Sequence, residues 1–164
     1  MKSFVLHLSI TILWLLLSDE PSLGSFVVGI FIGFVLLYLF QPALQSYSYI
    51  YRGIAFFKYT LIFTWAFLAS SVNVAWISVI RDPQKIKSGF LRYDVTGLSM
   101  VEIIILSYSI GLTPGTTPAD LEDNDKTLVI HVLELDDPEA VSSEITTTLR
   151  NNILGFTRHK DTPL

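Results

Sequence analysis

Long apolar runs fill the first eighty residues, and short alternating ones fill the rest. Three apolar segments stand out, at 1–17, 23–40 and 54–80. A helix needs about 20 apolar residues to cross the hydrocarbon core. The first segment is therefore marginal, the second is close, and the third can span with tilt or continue as a helix beyond the bilayer. The turn Ser18-Asp19-Glu20-Pro21-Ser22 reads as the tip of a helical hairpin, because proline and short polar side chains end one helix and start the next. Lys2 ahead of the apolar run 4–17 also suits a signal peptide. Against that, no A-x-A-like site follows, and a second apolar segment begins within five residues.

Beyond Pro83 the pattern shortens. Residues 90–95 alternate as a strand does, and Ser99 with Glu102 forms an S-x-x-E capping box that opens a helix predicted over 100–110, with Gly111 as its carboxyl-terminal cap. That helix is apolar almost all round (Val101, Ile103, Ile104, Ile105, Leu106, Tyr108, Ile110), so it is expected to be covered on two sides. Residues 116–121 and 127–135 read as a hairpin around Glu122-Asp123-Asn124-Asp125. Pro118 pushes the first of these strands to an edge, and Leu128-Val129-Ile130 marks the second as central. Asp137 and Pro138 then begin a helix with the stripe Val141, Ile145, Leu149, Ile153. The order β-α-β-β-α predicts a small α+β domain, ferredoxin-like without its last strand, following an α-helical membrane half. The expected divisions are a membrane region 1–80, a basic linker 81–88, the α+β domain 89–157 and a tail 158–164.

Charge follows the same split. Only Lys2, Asp19, Glu20, Arg52 and Lys58 are charged among the first eighty residues, leaving eight basic and thirteen acidic side chains for the remainder. Apolar residues make up 51% of the chain and the mean hydropathy is +0.51, which together with the split excludes a single water-soluble globule. The net charge of −4 argues against nucleic-acid binding. The absence of cysteine removes disulfides, zinc-thiolate sites and thiol nucleophiles. Arg81, Lys85, Lys87 and Arg92 follow the third segment closely, so the positive-inside rule places the second half in the cytoplasm. The amino-terminal side stays open. Three full crossings put Lys2 and Arg52 outside, whereas a re-entrant or surface-lying segment puts them inside.

Candidate chemistry is sparse. Lys58 sits near the start of the third segment, where its side chain can snorkel to the interface. Asn73, Thr64, Ser70 and Ser71 suit bonds to neighbouring helices. No Asp, Glu or His lies deep in the second or third segment, and His7 is in the short first one, which equips the chain poorly for a proton relay. Gly29 and Gly33 form a G-x-x-x-G spacing that lets another helix approach. Asp120, Glu122 and Asn124 alternate like early calcium-loop ligands, but the sixth and twelfth positions would be Asp125 and His131 instead of glycine and glutamate. A solvated turn is the better reading, with His131 a core or interface residue. No nucleophile triad, P-loop or dinucleotide fingerprint is present, so no enzyme activity or cofactor is expected. The segment Leu112-Thr113-Pro114-Gly115-Thr116 is distinctive. Proline fixes one dihedral, glycine permits a positive one, and threonine hydroxyls can bond freed backbone groups, giving a rigid corner between helix and strand.

That corner, preceded by Leu106-Ser107 and followed by Asp120 and Ile130-His131, resembles the signature of the E-type component of multisubunit sodium/proton antiporters of the Mrp, Mnh or Pha kind. Leu13-Trp14, Leu17-Ser18, Pro21-Ser22, Phe26, Gly29 and Gly33 are similar to that family's first hairpin, and Asn73-Val74 and Pro83 fall where it has similar residues. The resemblance implies an accessory subunit, without a cofactor of its own, in the bacterial inner membrane. Its partners would be small multi-span subunits and large antiporter-like subunits that hold most of the ionisable relay residues. One departure is Leu68, where relatives carry a glutamate about five residues before the Asn-Val pair; it weighs against a direct ion-carrying role for the third segment. A structural and coupling subunit is the leading expectation. The rivals are a stand-alone membrane-anchored regulatory or ligand-sensing domain, and a subunit that itself conducts ions.

Overall fold

The computed structural model describes residues 2–44, 46–80, 86–122 and 126–158. They fall into two compact units that divide after Ile54. The first unit contains helices α1 (Lys2–Leu17), α2 (Leu23–Leu39) and α3 (Gln41–Leu44), and the opening turns of the long helix α4 (Tyr47–Ile80). Ser22 caps α2 by accepting from the Ser25 N–H at 3.1 Å, which fixes the turn after α1. At 16 and 17 residues, α1 and α2 are about 24 and 26 Å long, short of the roughly 30 Å hydrocarbon core. The hairpin shows apolar side chains to its surroundings, with Leu16 77% and Leu23 80% exposed. Soluble monomers rarely expose so much contiguous apolar surface.

The second unit holds the rest of α4 with β1 (Gly89–Asp94), α5 (Met100–Leu112), β2 (Thr116–Glu122), β3 (Thr127–Val132), α6 (Pro138–Glu144) and α7 (Asn151–Thr157). The strands form an antiparallel sheet in the order β1-β3-β2. The strand bearing Pro118 is at an edge, where its missing N–H costs no ladder bond, and the register slips between Pro118 and Asp120. Leu91, Tyr93, Leu128, Ile130 and Val132 meet Ile103, Leu106, Ile110, Ile145, Leu149 and Ile153 in one core. Alternation in β1 (Leu91 and Tyr93 in, Phe90 and Arg92 out) is the period-two signal of a half-buried strand.

Several boundaries differ from those the pattern predicts. Helix α4 starts at Tyr47, because Tyr49 and Ile50 pack inside the first unit. Its later residues belong with the sheet, in the second compact unit. β3 ends at Val132, short of residue 135. Gly111 is not the cap of α5: the helix runs through Leu112 and is capped at Thr113, whose φ is −80°. Gly111 sits beside Pro118, whose Cδ would be in ordinary contact with a Cβ there, at 3.4 Å. A π-helical stretch, Ile145–Arg150, joins α6 to α7, which the apolar pattern alone does not predict. Its trace is present in the strict four-residue spacing of the stripe. Four residues overshoot an α-helical turn by roughly 40°, and the wider π turn corrects the drift, leaving Ile145, Leu149 and Ile153 all buried.

Candidate functional site

The carboxyl end of α5 shows why this corner folds as it does. Its last carbonyls lack helical partners, and two threonines supply them. Thr113 Oγ1 donates to the Ser109 carbonyl at 2.9 Å, while Thr116 Oγ1 lies 2.8 Å from the Ile110 carbonyl and 3.0 Å from that of Thr113. Gly115 then turns the chain at φ +93°, a conformation that costs an L side chain about 1–2 kcal/mol. Its carbonyl accepts from the Leu133 N–H at 2.8 Å, tying the corner to the end of β3.

The corner faces α4 within the same unit. Thr113, Pro114, Gly115 and Thr116 line a cleft of about 510 Å³ with Ser70, Asn73, Val74 and Ile77 of α4. A Cβ on Gly115 would lie 3.2 Å from Val74 Cγ2, so glycine is needed there for close approach as well as for its dihedral. Further along α4, Tyr59 is buried and its hydroxyl lies 2.5 Å from Ser109 Oγ. Phe56 and Tyr59 both pack on Phe156, and Tyr59 stacks on Phe63. The cleft lining is mostly apolar, with Glu134 and Glu144 as its carboxylates and no histidine, lysine or arginine. Among the described residues no cluster could hold a metal ion. Such a lining suits a packing joint, with no paired acid, base and nucleophile.

The remaining sequence candidates are dispersed. Leu112 is 59% exposed. Asp120 is exposed at the bulge, its carboxylate accepting from the Leu121 N–H. His131 stands in β3 with its ring edge-on to Phe90, at 5.2 Å. Gly29 and Gly33 are buried in the hairpin. A Cβ on Gly29 would meet the Thr11 carbonyl oxygen at 3.1 Å, and one on Gly33 would run into the His7 ring. Arg81, Lys85 and Pro83 lie outside the described residues, as does Asp123-Asn124-Asp125 of the acidic turn. Lys87 pairs loosely with Asp136, and Arg92 is engaged across the sheet with Glu122 at 3.0 Å.

Two polar centres have distant partners that the sequence pattern does not give. His7 is buried, its Nε2–H donating to the Ile30 carbonyl at 2.8 Å and its Nδ1 2.6 Å from the Tyr49 hydroxyl. The second is Glu102. It serves the capping box predicted for it, and it also receives a two-pronged contact from Arg158 at 2.7 and 2.8 Å and the Thr157 hydroxyl at 2.7 Å. The Arg158 guanidinium, helped by the Ser99 and Thr157 donors, holds the Glu102 carboxyl well below the usual carboxylate range despite burial. A contact spanning 56 positions leaves no local signal.

Comparison with known proteins adds the family. Residues 7–155 match the profile described as MNHE, Na+/H+ ion antiporter subunit. The chain belongs to this family of Na+/H+ antiporter subunits. Over 141 residues it is 28% identical to the E-type Na(+)/H(+) antiporter subunit of Bacillus subtilis (strain 168), covering 86% of this chain and 89% of that protein. It is 29% identical to the E1-type Na(+)/H(+) antiporter subunit of Staphylococcus epidermidis (strain ATCC 12228 / FDA PCI 1200), covering 89% and 91%. Among solved structures, it is similar to a chain of the Mrp complex from Dietzia sp. DQ12-45-1b, with TM-score 0.50, 27% identity, and coverage of 65% of this chain and 96% of that one. A chain of the archaeal membrane-bound sulfane sulfur reductase shares the fold at TM-score 0.55 and 21% identity, covering 93% and 96%. This is a family of transporter subunits, and its place is in a membrane complex.

Proposed function

We propose that the chain is a structural and coupling subunit of a multisubunit monovalent cation/proton antiporter in the bacterial inner membrane, and that the main ion relay lies in its partners. The family match over residues 7–155 carries this reading. Residues 113–116 of the corner share their cleft with Asn73, which fits a part that transmits position and does no chemistry. The sheet order β1-β3-β2 with two antiparallel pairings supports a ferredoxin-like domain without its last strand, and the basic residues after α4 support its placement in the cytoplasm. The apolar hairpin and the outward face of α5, with Val101 63% and Tyr108 72% exposed, are surfaces for lipid and for other subunits.

Pro114→Gly tests the coupling role. It loosens the corner, with a stability change of only about 0.4–1 kcal/mol. The expected result is impaired antiport or assembly while the detergent-solubilised chain stays folded. Normal sodium tolerance with an intact complex would refute the role. A chain that purifies from native membranes as a stable monomer would favour a stand-alone regulatory domain.

A further inference from the structure

Helix α4 combines two properties that a bilayer-crossing rod cannot hold together. It is, among the described residues, the one helix long and apolar enough to cross a membrane. Yet one of its faces is covered by the α+β domain. Tyr59 and Ile77 are 8% and 4% exposed, and between them Phe63 joins the core and Val74 meets the Gly115 corner. From Tyr59 to Ile77 is about 27 Å along the axis, nearly the roughly 30 Å thickness of the hydrocarbon core. An upright α4 would carry its docked domain into hydrocarbon, together with Arg92, Glu122 and Arg158. Each such charge costs about 2.5 kcal/mol or more at mid-bilayer. Helix and domain therefore share one level, and for the domain that level is the membrane surface.

The opposite face of α4 suits lipid. Phe57, Leu61, Leu68, Val72 and Trp76 recur at helical spacing and are between 51% and 70% exposed. Beside them the hydroxyls of Thr60, Thr64, Ser71 and Ser78 each donate to the carbonyl four residues back, at 2.7 to 3.0 Å, so these side chains need no water. Tryptophans favour the interfacial layer. The helix also carries Arg52 and Lys58 and no acidic residue, in a chain of net charge −4, which is complementary to anionic headgroups.

We propose that α4 from residue 55 onward lies in the plane of the cytoplasmic membrane interface, with its apolar stripe in lipid and the α+β domain on the aqueous side. This rests on the reading of the chain as a membrane subunit with a cytoplasmic domain. Charge parity agrees. With two passages of the chain, Lys2, Arg52 and the basic residues from Arg81 to Arg92 share one side and Asp19-Glu20 takes the other. Three crossings would leave Lys2 and Arg52 outside, against the positive-inside rule.

The chain has no cysteine, so each introduced thiol labels alone. Leu61→Cys, Leu68→Cys and Trp76→Cys, with Asp137→Cys as an aqueous control, are spin-labelled in the full chain reconstituted in phosphatidylethanolamine/phosphatidylglycerol liposomes. Depth is read from accessibility to oxygen and to a nickel chelate. The expected result is one shallow depth, equal within about 5 Å at the three stripe positions, one helical pitch being the tolerance. A crossing helix separates labels at 61 and 76 by about 20 Å of depth, which would overturn the proposal, as would water-like accessibility at all three. Val72→Cys replaces any position whose label prevents reconstitution. Neither adverse result touches the subunit role, which the Pro114→Gly assembly test addresses separately.

Discussion

Glu102→Gln removes one charge and almost no volume from a side chain that is 3% exposed. In the native protein, the two carboxylate oxygens accept from the Ser99 N–H at 2.7 Å, the Ser99 hydroxyl at 2.9 Å, the Thr157 hydroxyl at 2.7 Å, and Arg158 at 2.7 and 2.8 Å. All five are donors. A glutamine replaces one acceptor oxygen with an NH2 group; the two hydroxyls can turn to accept from it, but whichever way the amide turns, one or two of the Ser99 N–H and Arg158 contacts become donor against donor. A hydrogen bond to a charged group contributes about 1.5–3 kcal/mol, and an unsatisfied buried group costs a similar amount. The Arg158 side chain is 49% exposed, so water recovers part of its loss and its share is discounted. The net destabilisation is about 3 kcal/mol, which for a domain of this size lowers the unfolding midpoint by roughly 12 °C or more. Thermal unfolding of the full chain in mild detergent, followed by circular dichroism, measures it. The pH dependence supplies a second arm. The folded carboxyl titrates below its ordinary value of 4.5, so its contribution is complete above that value and is lost as pH falls toward the folded one. The gap between native chain and variant should therefore narrow below about pH 4.5. A variant within about 0.5 kcal/mol of the native chain, or a gap unchanged between pH 7 and pH 3, would refute the reasoning.

The hairpin and the outward face of α5 provide two further tests. Gly33→Ala directs a methyl group into the His7 ring, which cannot swing away freely because both its nitrogens are engaged. Gly24→Ala meets only Ser22 Oγ, at 3.6 Å. The first substitution should cost about 1–3 kcal/mol and the second should be near neutral, read as thermal stability in detergent; equal midpoints would show that the hairpin does not pack here. Ile104→Asp places a charge on the uncovered side of α5, where Ile104 is 46% exposed. Co-purification of the other subunits should fall several-fold with the isolated chain's midpoint within a few degrees of native, and unchanged co-purification would remove this face as a subunit contact.

Local patterns carried most of the architecture. Apolar run lengths located α1 and α2, the capping box opened α5, and Asp137-Pro138 opened the last helix, because each signal lies within a few residues of the structure it specifies. The composition of 112–116 was enough to predict a stiff corner, since proline, glycine and threonine act on their own backbone. Tertiary structure decided the rest. Nothing local says that Asn73 shares a cleft with that corner, that Glu102 waits for Arg158, or that His7 meets Tyr49, since such pairs form only when distant elements pack. The third apolar segment is the clearest case. Its composition specified a helix that avoids water, and both lipid and a protein core satisfy that requirement equally. Only the packing of Tyr59, Phe63, Val74 and Ile77 against the α+β domain decided which face of α4 is kept dry by protein and which is left for lipid.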